Sequence, residues 1–138
     1  MNERVNIASG LFDSGMNCAQ SVLGAFCDDY GVTQDTAFKM ACGFGSGVRS
    51  AEICGAVTGA VLVTGLKYGQ SKETCNSKTE EFIKRFRDEN GNIVCREILD
   101  CDITTPTGKE KAVKENLFNT TCVDMVKSAV RILEELGY

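Results

Sequence analysis

Histidine and tryptophan are absent from this chain of 138 residues, and proline occurs only once. Without histidine the chain cannot form Ser-His or Cys-His catalytic pairs, mixed Cys/His zinc sites or the haem-attachment sequence that ends in histidine. Haem is therefore not expected as a cofactor. Any proton transfer would have to use carboxylate, lysine, tyrosine or thiol groups.

Long apolar runs and clustered positive charge are also missing. The uncharged stretch at residues 53–66 covers 14 residues and is interrupted by glycines, so it is too short to span a membrane. A net charge of −4 argues against a nucleic-acid partner. The only dense basic group is Lys84, Arg85 and Arg87, which alternates with apolar residues. It is expected to form the solvated face of a helix.

Apolar residues recur with helical spacing along almost the whole chain, and no segment shows the alternation of a strand. We expect an all-α fold, a compact bundle of about six to seven helices in a single domain over residues 1–138. The predicted helices cover residues 3–12, 18–30, 33–42, 53–66, 71–88, 95–100 and the amphipathic end of the chain. Pro106 is expected to mark the one long loop.

The helix at residues 53–66 should be the buried centre of the bundle because it is rich in small residues. Gly55, Ala56 and Gly59 would allow a neighbouring helix to approach closely, which is the favoured interpretation. Alternatively, the same three residues leave room for a cofactor beside Cys54. The glycine-rich residues 43–47 lack the preceding strand and the spacing of a phosphate-binding loop, so they are expected to break a helix.

Eight cysteines are the most distinctive feature of the composition. Glu3 and Arg4 interrupt the first residues, which form no secretory signal, so we expect a cytoplasmic protein with reduced thiols. No Cys-x-x-Cys pair occurs, which excludes the thioredoxin signature, ordinary zinc ribbons and the local cysteine runs of bacterial ferredoxins. A cysteine site must therefore be assembled by the fold from thiols that are distant in sequence.

Half of the cysteines fall at predicted helix starts: Cys18, Cys54, Cys95 and Cys122. Free N–H groups and the positive dipole end of a helix lower the pKa of a thiol there and favour the thiolate. Arg96 would add positive charge beside Cys95. Four such helix starts, if they converge, would seat an anionic thiolate–metal cluster.

The other cysteines occupy different positions. Cys27, Cys42 and Cys75 lie inside or at the ends of predicted helices, and we expect them to be small buried core residues. Cys101 lies between two aspartates, whose negative charge should raise its pKa.

Each helix-start cysteine also lies in a recognisable short motif. Residues 17–23 read NCAQSVL, residues 54–59 read CGAVTG, Cys95 opens CREIL, and Cys122 precedes the last helix. In this order the motifs resemble the C_GCAxxG_C_C family of redox-active proteins over nearly the whole chain. One departure is that the family name spells Gly-Cys-Ala, whereas this chain has Ile53 before Cys-Gly-Ala.

The resemblance implies a redox role and selects the same four cysteines. A cytochrome-type branch of the family carries haem and an iron–sulfur site. Because this chain has no histidine, only the iron–sulfur cluster is carried over as an expectation.

Three functions remain open at this point. The leading hypothesis is that the four helix-start thiolates ligate an iron–sulfur cluster for electron transfer or redox sensing, which implies a redox partner protein. The second is a metal-free dithiol/disulfide protein, with Cys54 as the attacking thiolate and Cys18 or Cys95 as the resolving thiol. The third is a structural zinc-binding or interaction domain. The sequence identifies neither an enzyme activity nor an oligomeric state.

Overall fold

The structure is a computed structural model that describes residues 3–138. This part of the chain forms eight α-helices and no strand. The helices are α1 (Glu3–Asp13), α2 (Cys18–Phe26), α3 (Gln34–Ala41), α4 (Gly55–Tyr68), α5 (Lys72–Asn90), α6 (Cys95–Leu99), α7 (Pro106–Lys114) and α8 (Thr121–Glu135). The predicted all-α bundle is confirmed, with one helix more than the upper end of the expected number.

Side-chain caps determine where several helices begin. Asn17 caps α2 through a capping box, in which its side chain accepts from the Gln20 N–H and the Gln20 side chain accepts from the Asn17 N–H. Thr33 caps α3 and Ser71 caps α5 through the same kind of side-chain contact. These residue types are the strongest helix-start signals, and the corresponding predicted boundaries agree with the structure to within about two residues.

The expectation of a long loop at Pro106 is wrong, because Pro106 begins α7. The hydroxyl of Thr105 caps this helix by accepting from the Gly108 N–H at 3.0 Å. Proline suits the first helical position because its fixed φ is helical and its missing N–H would have no partner there. The residue therefore starts a helix instead of marking a connection.

The core of the bundle surrounds α4, which packs on α2, α5 and α8. Val57, Ala60 and Val63 are fully or almost fully buried on this helix. A Cβ atom added at Gly59 would lie 2.8 Å from the carbonyl oxygen of Ala19 on α2. The glycine therefore permits the close approach of two helices, as the spacing of small residues predicted.

The basic residues Lys84, Arg85 and Arg87 lie on α5, as the pattern of apolar residues around them predicted. Lys84 pairs with Asp88 at 2.8 Å, and Arg85 pairs with Glu135, so two of the three basic residues are ion-paired on the solvated face of α5. Among the helices of residues 3–138, none combines the length and the apolar character that a membrane crossing requires.

Candidate thiol site

One cavity is lined by the four cysteines that lie at helix starts. It has a volume of about 220 Å³, and its thiols belong to Cys18, Cys54, Cys95 and Cys122. The rest of the wall is largely apolar and includes Phe12, Ile98, Leu99, Ile103, Phe118 and Met125. All eight cysteines of the chain are free thiols. The fold thus brings together residues that are far apart in the sequence.

The position of each thiol follows from the start of its helix. Cys18 is the first residue of α2 and Cys95 is the first residue of α6. Cys122 is the second residue of α8, and Cys54 is the N-cap residue of α4. As predicted, all four lie where backbone N–H groups have no partner within the helix.

A short antiparallel bridge holds the starts of α4 and α6 together. It pairs Ile53 with Val94. The N–H of Cys54 donates to the carbonyl oxygen of Ile93 at 2.8 Å. The N–H of Cys95 donates to the carbonyl oxygen of Glu52. Two of the cavity thiols are therefore fixed by backbone hydrogen bonds, which helical periodicity in the sequence could not reveal.

Cys18 is fixed by its neighbours on both sides. The Asn17 side-chain amide donates to the carbonyl oxygen of Cys42 at 3.0 Å, which ties the start of α2 to the end of α3. A Cβ atom at Gly55 would lie 3.0 Å from the Cβ of Cys18, so the glycine lets α4 approach the start of α2. Of the small residues predicted to adjoin a cofactor, Gly55 lines the cavity, whereas Ala56 and Gly59 do not.

Burial and mutual proximity control the protonation of these thiols. Burial raises the pKa of Cys54 to about 11 and that of Cys95 to about 12. A hydrogen bond with Cys122 raises the pKa of Cys18, and burial and the neighbouring thiols add to the effect. The same hydrogen bond lowers the pKa of Cys122. At three of the four cysteines the pKa is raised overall, because burial and the neighbouring thiols outweigh the lowering expected from a helix start.

The metal-free cavity consequently holds mostly neutral thiols, which a bound cation would deprotonate. In residues 3–138, no group of three or more histidine, cysteine, aspartate or glutamate side chains is positioned to hold a metal ion. The cavity of about 220 Å³ is several times the roughly 30 Å³ that one water molecule occupies in the liquid. It therefore has room for a group larger than one ion.

The remaining cysteines differ in exposure. Cys27 is completely buried in the core, as expected. Cys42 was expected to be buried but is exposed and lines the cavity, since it follows the last residue of α3 and begins a short 3-10 turn. Cys75 is only half-buried. Burial, more than the flanking aspartates, raises the pKa of Cys101.

Arg49 is a cavity residue that the sequence did not identify. It is the only basic side chain among the described residues that line the cavity. Arg96, which was expected to add charge beside Cys95, instead pairs with Glu52 and donates to the carbonyl oxygen of Ala51. The glycine-rich residues before Arg49 indicated a break in the chain, but they did not indicate which side chain would line the cavity.

The metal-free protein is expected to lose stability at alkaline pH. In the folded chain the pKa is about 11 for Cys54 and about 12 for Cys95, above the usual value of about 8.5. Between these values the unfolded chain has released protons that the folded chain still holds. The free energy of unfolding should therefore fall as pH rises, by roughly 1.4 kcal/mol per pH unit for each thiol.

Denaturant unfolding of the metal-free chain at several pH values above about 8.5 measures this slope. The variant Cys54→Ser has no ionising group at that position and should show a shallower slope. Equal slopes in the two proteins would contradict the raised pKa of Cys54.

Comparisons with known proteins bear on the same residues. Neither a search of curated proteins nor a search of solved structures finds a match. A family model described as "Putative redox-active protein (C_GCAxxG_C_C)" matches residues 16–136, a span that includes all four helix-start cysteines of the cavity. The chain therefore belongs to the C_GCAxxG_C_C family.

Proposed function

We propose that the chain holds an iron–sulfur cluster for electron transfer or redox sensing, with four ligands: Cys18, Cys54, Cys95 and Cys122. The observation that carries this proposal is the convergence of four free thiols, from four different helix starts, on one cavity. Cysteine thiolates are the usual ligands of iron–sulfur clusters. Membership of a family described as redox-active agrees with such a role.

The residues around the thiols have further properties that a cluster requires. When bound, the cluster would supply one-electron exchange between two iron oxidation states. Side chains such as Phe118 and Ile98 give the cavity an apolar wall. The backbone amides of Ala56 and Val57 lower the pKa of Cys54, so they stabilise negative charge on its sulfur. Hydrogen bonds of this kind to sulfur tune the potential of a cluster.

A dithiol/disulfide function is the second candidate, and one contact favours it. The Cys18 thiol favours a thiolate at Cys122, which lowers the pKa of Cys122, while the pKa of Cys18 is raised. Cys122 would then attack one sulfur of a partner disulfide, whose other sulfur leaves as a thiolate, and Cys18 would release the second partner thiol. This differs from the expectation that Cys54 attacks, since burial raises the pKa of Cys54 to about 11.

Both functions require reduced thiols and a second molecule that exchanges electrons with them. We therefore place the protein in the cytoplasm, where thiols are kept reduced. We also propose a redox partner protein that approaches the cavity from the side of the exposed Cys42.

Purification without oxygen followed by visible absorption, iron and acid-labile sulfide analysis tests the proposal. We expect broad visible absorption and matched amounts of iron and sulfide. A colourless chain without iron would contradict the cluster and leave the Cys18–Cys122 pair as the function to test. A colourless chain with bound zinc would instead support the structural zinc alternative.

A further inference from the structure

One part of the cavity wall belongs to a segment that buries few of its own side chains. This segment contains α7 and covers residues 101–116, which we call the α7 flap. Within it, Gly108 and Ala112 are the only buried residues, and both are too small to bury much apolar surface. Val113, the one large apolar side chain of α7, is 62% exposed. A segment with so few buried apolar contacts opens at a lower free energy than the core does.

The flap meets the thiol cavity at its first residues. Ile103 lines the cavity, and so does Phe118, which follows the flap by two residues. Burial is the main cause of the raised pKa of Cys95, and negative charge at Cys101 and Asp102 adds to it. The start of the flap therefore lies beside this thiol. Because Cys95 is only 8% exposed, displacement of the flap would open the cavity next to it.

Each end of the flap adjoins a residue with left-handed backbone. Asp100, the C-cap residue of α6, has a φ of 55°. Asn116, which precedes the short 3-10 helix Leu117–Asn119, has a φ of 59°. Aspartate and asparagine adopt this region more readily than most other non-glycine residues. Residues at the ends of helices are common hinge positions, because they can change φ and ψ without breaking a helix.

A contact exposed to solvent attaches α7 to the first of these two residues. The Lys111 ammonium group donates to the carbonyl oxygen of Asp100 at 2.9 Å and lies 3.5 Å from its carboxylate. The Asp100 side chain is 97% exposed, so water and salt weaken this ion pair. Gly108 lets α7 lie directly on the preceding turn, since a Cβ atom there would overlap the carbonyl oxygen of Asp102. Lys111 and Gly108 thus hold α7 against the start of the flap.

We propose that the α7 flap opens about Asp100 and Asn116 without unfolding of the bundle, and that this opening controls access to Cys95. The flap would let a cluster enter or leave the cavity, whereas the side of the exposed Cys42 would serve contact with a partner. The role in cluster exchange rests on the proposed function, but the opening itself does not.

Alkylation of the reduced, metal-free chain by iodoacetamide measures the opening at Cys95. In this reaction the thiolate sulfur bonds to the methylene carbon and iodide leaves. Cys27 is completely buried in the core, so its rate of labelling reports unfolding of the whole bundle. Mass spectrometry of the labelled peptides follows both cysteines in one sample. In the wild type, labelling of Cys95 should depend less on urea than labelling of Cys27, because a local opening exposes less surface.

Two variants weaken the closed state of the flap. Lys111→Met removes the contact with Asp100 and should speed labelling of Cys95 about twofold to fivefold, the range expected for an exposed ion pair. Gly108→Ala forces α7 away from the carbonyl oxygen of Asp102 and should speed labelling of Cys95 about fivefold or more.

Lys109→Met is the matched control for these variants. Lys109 is exposed on the same helix and forms no ion pair within residues 3–138. Labelling of Cys95 in this variant should match the wild type. Labelling of Cys27 should stay at the wild-type rate in all three variants, because the core is not altered.

The outcomes separate the flap from the proposed function. An unchanged Cys95 rate in both Lys111→Met and Gly108→Ala, or an equal rise at Cys27, would overturn the flap and leave the cluster. In a chain that contains iron and sulfide, Gly108→Ala should also speed the loss of iron to a chelator. A faster Cys95 rate in variants of a chain that never binds iron would support the flap and remove the cluster.

Discussion

Replacement of any one cavity cysteine by serine is expected to reduce bound iron and visible absorption to background, as measured on protein purified without oxygen. The four variants are Cys18→Ser, Cys54→Ser, Cys95→Ser and Cys122→Ser. Each residue starts a different helix, so no neighbouring thiol on the same helix can replace it. A hydroxyl is a poor substitute because iron–sulfur clusters are held by soft, deprotonated sulfur.

Two cysteines provide matched controls. Cys75 is half-buried on α5 and lies outside the cavity, so Cys75→Ser should keep the iron content of the wild type. Cys42 lines the cavity but is exposed, and Cys42→Ser should also keep it. Loss of iron in Cys42→Ser, together with retention in one of the four variants, would contradict the ligand assignment. Reduction of a partner disulfide that is lost in Cys18→Ser and Cys122→Ser but kept in Cys54→Ser and Cys95→Ser would favour the dithiol function.

The variant Gly59→Ala is expected to lower the free energy of unfolding by about 1–3 kcal/mol, the usual cost of an overpacked core. Its Cβ atom would lie 2.8 Å from the Ala19 carbonyl oxygen and 3.0 Å from the Cβ of Val22. The first contact is with backbone, which cannot move without shifting α2. Such a shift should also separate Cys18 from Cys54 and weaken the retention of iron.

Gly65→Ala is the matched control because it lies in the same helix with no heavy atom within 4 Å of the added Cβ. Alanine is the better helix former, so this variant should gain about 0.5–1 kcal/mol. Urea unfolding of both variants measures the two effects. Stabilisation by both substitutions would contradict the close approach of α2 and α4 at Gly59.

The helices could be predicted well because their ends are encoded locally. Asn17, Thr33 and Ser71 are side chains that cap the following helix, and glycines cap the ends of α4 and α5. Local sequence also explains the wrong prediction of a loop at Pro106, because proline occurs both where helices are interrupted and at the first position of a helix. Only the preceding Thr105, which caps α7, distinguishes the two cases.

The protonation of the site depends on contacts that the sequence does not contain. From its position alone, Cys95 gains the positive end of a helix, which predicts a lowered pKa. In the fold it is buried beside Cys54 and Cys122, and burial with neighbouring negative charge raises its pKa to about 12. The helix dipole is a small, local effect, whereas burial of a charge is a large one.

The inclusion of Arg49 and Cys42 in the cavity could not be predicted either. Cys42 lies in the turn after α3. Arg49 lies in a segment with left-handed backbone at non-glycine residues such as Val48. Serine, valine, arginine and alanine do not favour that conformation, so the sequence does not indicate it at these positions. The segment lies close to Cys95, a residue that is distant in sequence.

X-ray absorption at the iron edge, on protein purified without oxygen, identifies the atoms that surround the iron. The four-cysteine cluster predicts iron surrounded by sulfur alone, with a second iron at short distance, and loss of both signals in Cys54→Ser. Iron bound by oxygen or nitrogen, or sulfur-bound iron that persists in Cys54→Ser, would contradict a cluster ligated by the four cysteines.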